Sequence, residues 1–144
     1  MKTRKSKPPG RHWPDRPEII AGIDEIAGGS WLGVNEFGVV AAILNRSNSL
    51  GPKQGKRSRG ELVLEALDHA DASDAAEAIT NINEKAYRSF NMILADNRDA
   101  FWLKHTETDN IALHRIPEVI SMITADDLND IKSPRIAKYL QRIR

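Results

Sequence analysis

Ala27-Gly28-Gly29-Ser30-Trp31-Leu32-Gly33 decides how this chain is read. Paired glycines running straight into Ser-Trp-Leu-Gly are unlike a generic strand. They let the backbone turn, or pass close to another backbone, where a β-carbon would block it. Trp31 and Leu32 then supply apolar bulk to a strand, and Gly33 leaves one face of it bare. Working outward, residues 30–34 and 39–45 read as two strands. Asn35-Glu36-Phe37-Gly38 joins them as a hairpin turn, with Gly38 free to take positive φ. Val39 to Leu44 is apolar throughout, which predicts burial on both faces, as in a central strand of a layered fold.

Upstream, residues 18–23 read as a short strand. Residues 1–17 carry five Lys/Arg in the first eleven positions and four prolines. Pro8-Pro9-Gly10 cannot continue a helix or sit in a central strand. This segment reads as a basic, Pro-rich extended arm, and residues 18–144 as the domain. Downstream, 46–57 is a polar loop. Ser58 with Glu61 spells a capping box that opens a helix near 58–70, with Leu62, Val63, Leu64, Ala66 and Leu67 as its buried stripe. Ser73 caps a second helix near 73–82, rich in alanine and able to pack closely. Phe90 to Ala95 and Phe101 to His105 form a hairpin about Asp96-Asn97-Arg98-Asp99. Ile111 to Ile116 and Val119 to Thr124 are further strand candidates. Ser133-Pro134 is an N-cap and N1 pair for a last helix over 133–144. Strands, two helices, strands and a helix, in that order, predict an α+β fold with helices layered on a largely antiparallel sheet.

Composition bounds the partners. The chain has 144 residues, 40% hydrophobic and 28% charged, with a net charge of +1. That suits one modest domain and gives no global pull toward nucleic acid or an anionic membrane. No run of apolar residues is long enough for a membrane span, and the basic N-terminus lacks the apolar stretch of a secretory signal. A cytoplasmic protein is the expectation. There is no cysteine, so disulfides, thiolate metal sites and a thiol nucleophile are excluded for this chain. His12, His69, His105 and His114 have no ligand spacing, and Asp126, Asp127, Asn129 and Asp130 lack the glycine and terminal Glu of a calcium loop. Neither a metal nor a cofactor is expected. Trp13, Trp31 and Trp102 read as core.

Gly51-Pro52-Lys53-Gln54-Gly55-Lys56-Arg57-Ser58 misses the phosphate-loop pattern, because three residues separate its glycines and Arg57 stands between Lys and Ser. Arg57 and Arg59 beside a helix start still suit a carboxylate or phosphate. The basic segment 2–11 has no aromatic platform or recognition motif beside it, so no specific nucleic-acid role is expected.

Several groups taken together carry a resemblance. Trp13 is followed by Ile19-Ile20-Ala21-Gly22 with Asp24, and then by the 27–33 stretch. Gly38, Ala41, Ala42 and Asn45 continue the order, and Lys56-Arg57-Ser58-Arg59-Gly60-Glu61-Leu62 and Phe90-Asn91 complete it. In order and spacing this resembles the NRDE family, also called the transport and Golgi organisation family. The resemblance implies an N-terminal-nucleophile-hydrolase-like αββα sandwich, here incomplete. Family members typically begin with Met-Cys, the cysteine being the presumptive nucleophile, and an Asn-Arg-Asp-Glu motif follows. This chain begins Met-Lys-Thr-Arg-Lys, so the resemblance implies an internal piece of the family domain. Thr3 precedes Lys- and Pro-rich chain and does not replace the cysteine. Asn97-Arg98-Asp99 imitates the name motif, but Ala100 follows it and turn chemistry explains it. Ser121 matches a serine of a Gly-Leu-Ser-Asn stretch in related sequences, yet Met122 stands in place of the asparagine.

The resemblance marks Asn45 as an oxyanion-donor candidate and Asp24, Ser30, Trp31, Arg57 and Arg59 as binding candidates. The expectation is a chain that is not catalytic as it stands, amide-bond hydrolysis belonging to full-length relatives. The alternative is a non-enzymatic module that binds a small haem- or lipid-related ligand or a partner. An exposed sheet edge left by a missing strand predicts self-association.

Overall fold

The computed structural model describes residues 5–47, 49, 53–108 and 110–143. Gly51, Pro52 and Thr3, discussed above, lie outside them. Among the described residues seven strands form one sheet in sequence order, β1-β2-β3-β4-β5-β6-β7, each neighbour antiparallel. They are β1 Ser6–Gly10, β2 Ile19–Asp24, β3 Leu32–Asn35, β4 Val40–Asn45, β5 Phe90–Ala95, β6 Ala100–His105 and β7 Ala112–Arg115. Helices α1 Glu61–Ala66 and α2 Ala72–Thr80 follow β4 and pack together on one face of the sheet, and α3 Pro134–Ile143 ends the chain. The fold is α+β with an antiparallel sheet, as the element order predicts.

The hairpin β3–β4 turns at the expected place. Gly38 has φ +89°, and Asn35 Oδ1 accepts from Phe37 N and Val39 N at 3.0 Å each. Asn35 also donates through Nδ2 to Leu67 O and His69 O, tying the turn to the end of α1. Within the basic arm, Ser6–Gly10 runs along β2 as an edge strand, and Pro8 and Pro9 fall where its register shifts, between Lys7 opposite Ile23 and Gly10 opposite Ala21.

The core lies between the sheet and α1–α2. Ile19, Val39, Leu62, Leu67, Ile79, Phe90, Met92, Leu94 and Leu103 are all fully buried there. Each such side chain stabilises the fold by about 1.5–3 kcal/mol of removed apolar surface. Trp13 and Trp102 are buried as expected, but Trp31 is 45% exposed and is not core. The second correction concerns β4. It is central in the sheet, yet of Val40–Asn45 only Ala41 is buried. Val40 is 39% exposed, and on the same face of β3 Leu32 is 48% and Val34 36% exposed. The apolar run in β4 is continuous, but the sheet has helices α1 and α2 on one side only.

The caps also differ from the sequence reading. Gly60, not Ser58, is the N-cap of α1, and it makes no side-chain cap bond. Glu61 turns to Arg57 and Tyr87 instead of closing a capping box. α2 is capped by Asp71, two residues before Ser73, and its carboxylate accepts from Asp74 N at 2.7 Å. Residues 119–124 form no strand. They are held instead through their backbone: Asn91 donates to Thr124 O at 2.8 Å, and Met122 N donates to Asn129 Oδ1 at 2.8 Å. Ser133 and Pro134 do open α3, with Ile136 and Leu140 as its buried pair.

Asp96 makes the β5–β6 turn, where Oδ1 accepts from Arg98 N and Asp99 N, and Oδ2 accepts from Ala72 N at 2.8 Å. The Asn-Arg-Asp imitation is therefore turn chemistry. Three backbone N–H bonds, that to Ala72 first, hold the Asp96 carboxyl below its ordinary 3.8. A folded pKa below the unfolded one contributes stability above pH 3.8, which is lost as pH falls through the folded value. The melting-temperature gap between the native chain and Asp96→Asn is accordingly expected to stay constant from about pH 7 to pH 5 and to shrink below about pH 4.

Candidate functional site

The paired glycines of the opening stretch do different work. Gly28 turns with φ +79°, and its neighbour Gly29 is pressed on the start of α1. A β-carbon on Gly29 would stand 2.5 Å from Gly60 C and 2.8 Å from Gly60 O. Ser30 N donates to Gly60 O at 3.2 Å across the same contact. This packing sets the loop 24–30 against the loop 57–60. Between them and the ends of β2 and β4 opens a cleft of about 530 Å³.

All six residues singled out from the sequence line this cleft: Asp24, Ser30, Trp31, Asn45, Arg57 and Arg59. Their surroundings separate them. Asp24 organises its own loop, with Oδ1 accepting from Ile26 N at 3.0 Å and Ala27 N at 3.3 Å. Ser30 is buried, its Oγ engaged with the backbone of Leu32. Trp31 lies against the β2 backbone at Gly22 and keeps nearly half its surface open. Asn45 ends β4 opposite Phe90, and its side chain makes no hydrogen bond among the described residues.

The two arginines are not equivalent. Arg59 donates through Nη1 to Ser49 O at 2.7 Å and Ser89 O at 2.8 Å, which joins the 46–49 loop to the start of β5. Burial, and then the like charge of Arg88, lower its pKa. Arg57 is exposed and pairs with Glu61 four residues on. That pairing raises the Arg57 pKa, and the Arg57 hydrogen bond is the largest cause holding the Glu61 carboxyl below its ordinary value. Tyr87 donates its hydroxyl to the same Glu61 Oε1, and burial followed by this bond raises the phenol pKa.

Sequence reasoning missed three contributors. Lys5 comes from the arm, Ile43 from β4, and Arg88 from the residue pair before β5. Lys5 joins only because β1 pairs with β2, and Arg88 only because β5 pairs with β4. Neither proximity leaves a local mark in the sequence. Lys53 and Lys56, from the stretch that misses the phosphate-loop pattern, complete the cationic wall. Among the described residues no group of three or more His, Asp or Glu is placed to hold a metal ion. No helix among them is long and apolar enough to cross a membrane.

Comparison with known proteins agrees with the residue pattern. The Transport and Golgi organization 2 homolog of Mus musculus is 34% identical over 91 residues, covering 58% of this chain and 31% of that protein. The chain thus spans about a third of the length of the curated relative it matches. The profile of one family covers almost everything here, residues 1–142. With glycines, tryptophan and arginines of the family pattern gathered at one cleft, the chain belongs to the Transport and Golgi organisation 2 (TANGO2) family.

Proposed function

We propose that this chain is a binding module, not catalytic by itself, that holds a small anionic molecule in the cleft beside the start of α1. One observation carries the reading. Lys5, Lys53, Lys56, Arg57, Arg59 and Arg88 line a single cleft in which, among the described residues, Asp24 is the one carboxylate. Six cations from three separate segments, Arg57 being paired with Glu61, repel one another, and an anion relieves that repulsion most where water is partly excluded. The chain supplies no thiol for nucleophilic attack, and the amide of Asn45 serves here as a donor to a bound oxyanion.

Inorganic phosphate or pyrophosphate at low salt is expected to raise the melting temperature. At a hundredfold excess over Kd the gain is about 2.7 kcal/mol, a shift of several degrees for a domain of this size. Lys5→Gln with Lys53→Gln is expected to weaken binding about tenfold and to flatten its salt dependence. A melting temperature indifferent to phosphate, pyrophosphate and citrate would sink the proposal.

A finer reading concerns the scaffold. The open apolar face at Leu32, Val34 and Val40 is where the second sheet of an αββα, N-terminal-nucleophile-hydrolase-like sandwich would pack, which supports that architecture for the family domain. Amide-bond hydrolysis, and a haem- or lipid-related role, belong to that reading of the longer relatives. A cytoplasmic location is also part of it, to be checked by fractionation. For the isolated chain the same face offers a route to self-association, and a better one than the β1 edge, which carries Pro8 and Pro9. The isolated chain is expected to elute as an oligomer, and Val34→Lys with Val40→Lys to shift it toward monomer by size-exclusion chromatography with light scattering. A native chain that is monomeric at about 100 μM, well above ordinary weak-association constants, contradicts this route.

A further inference from the structure

The geometry of Trp31 points to an anion that carries a planar ring, an aryl or heteroaryl phosphate or carboxylate, as the class of molecule this cleft takes. The inference rests on the anion-binding reading above and adds what the uncharged part of the ligand must be.

Trp31 is the tryptophan that the fold does not bury. Trp13 and Trp102 are 9% and 8% exposed, against 45% for Trp31. An indole left half in water forgoes much of the burial that normally justifies so large a side chain. Yet the ring is backed by the sheet. Its Cζ2 and Cη2 atoms stand 2.5 and 2.6 Å from where a β-carbon of residue 22 would be, so Gly22 is what lets the indole press on the β2 backbone. Its own carbonyl accepts from Ile43 N at 3.0 Å, which anchors the backbone beneath it. A rigid aromatic plate, backed by a strand and lining a cleft, is a preformed stacking surface.

The cleft therefore has two unlike parts. Trp31, Ile43 and Ala27 make an apolar wall, and the arginines and lysines make a cationic one. Arg59 is held in place by two carbonyl groups, so that part of the cationic wall is positioned before a ligand arrives. A bare phosphate uses only the second part, and a neutral ring only the first. The volume of about 530 Å³ suits a molecule that fills both.

Titration with phenyl phosphate, hexyl phosphate, inorganic phosphate and phenol, read by calorimetry and tryptophan fluorescence, tests this. Phenyl phosphate is expected to bind about tenfold more tightly than inorganic phosphate, from ring stacking added to the shared charge contacts. It should quench fluorescence, and phenol should bind only weakly. Trp31→Ala is expected to remove the tenfold gain and the quenching while leaving the inorganic phosphate affinity as it was, and Trp31→Phe to keep part of the gain. Gly22→Ala, which pushes the indole off β2, should act like Trp31→Ala if the plate must be fixed. Equal affinity for phenyl and inorganic phosphate overturns this inference while the anion-binding reading stands. Hexyl phosphate binding more tightly than phenyl phosphate overturns the ring in favour of a flexible alkyl body. Binding of no anion at all removes both.

Discussion

Gly29→Ala is expected to cost about 3 kcal/mol of folding stability, at the upper end of ordinary overpacking penalties. The added carbon would stand 2.5 Å from Gly60 C, 2.8 Å from Gly60 O and 2.9 Å from Glu61 N. All three are backbone atoms, so no rotamer change relieves the clash. The loop 24–30 must move off the start of α1, and the Ser30 N to Gly60 O bond at 3.2 Å goes with it. Gly28→Ala is the control. It has φ +79° and open space around the missing β-carbon, so its cost is the left-handed backbone alone, about 1–2 kcal/mol. Urea denaturation of the two variants should therefore rank Gly29 above Gly28. Because Gly29, Ser30 and Gly60 all line the cleft, phosphate binding should weaken with Gly29→Ala and much less with Gly28→Ala. A Gly29 variant within about 0.5 kcal/mol of the native chain would show that the two loops are not in contact.

A larger loss is expected for Asn91→Leu, about 4 kcal/mol from several buried partners losing their hydrogen bonds at once. Asn91 has no exposed surface. Its Oδ1 accepts from Arg46 Nη1 at 2.8 Å and from Trp102 Nε1 at 3.0 Å. Its Nδ2 donates to Thr124 O at 2.8 Å and Asp126 O at 2.6 Å. Leucine fills similar volume but satisfies none of these groups. The side chain is thus the pin that holds the irregular 119–130 segment to β5. Around it, Asp127 pairs with Arg46 and Lys104 on the outside. Burial acts to raise the Asp127 pKa, but the bonds to Lys104 and Arg46 outweigh it and the net shift is downward. These pairs are partly exposed, so Lys104→Met should cost less than about 1 kcal/mol. Hydrogen exchange at Ser121 to Asp127 is expected to accelerate in Asn91→Leu before the rest of the sheet opens. Unchanged protection there would mean that the segment is held by something other than Asn91.

Elements whose residues repeat a pattern of their own were legible in the sequence. The hairpin at Asn35–Gly38 was readable because positive φ and an Asx-type turn are local requirements, and the structure has both. The stripe Leu62–Leu67 was readable because it is an almost unbroken apolar run, and the structure buries Leu62, Val63, Leu64, Ala66 and Leu67. The expected strand at 119–124 failed because its apolar residues answer to Asn91 and Asn129, contacts from elsewhere in the chain. The caps failed for a similar reason. Ser58 and Glu61 have the right spacing for a capping box, but Arg57 and Tyr87 offer Glu61 stronger charged and phenolic partners than the backbone does.

The six candidate site residues were named from the family pattern, and what that pattern could not give was their company. By itself the sequence determined an α+β chain with an antiparallel sheet, a glycine-tryptophan stretch at its centre and no thiol, because turn propensity, periodicity and composition are properties of neighbouring residues. Only the tertiary structure decided that Lys5, Arg88 and Trp31 share one cleft and that one face of β3 and β4 lies open. Strand pairing and layer contacts join residues far apart in the chain, and such long-range distances are set by packing as a whole, not by any local run of side chains.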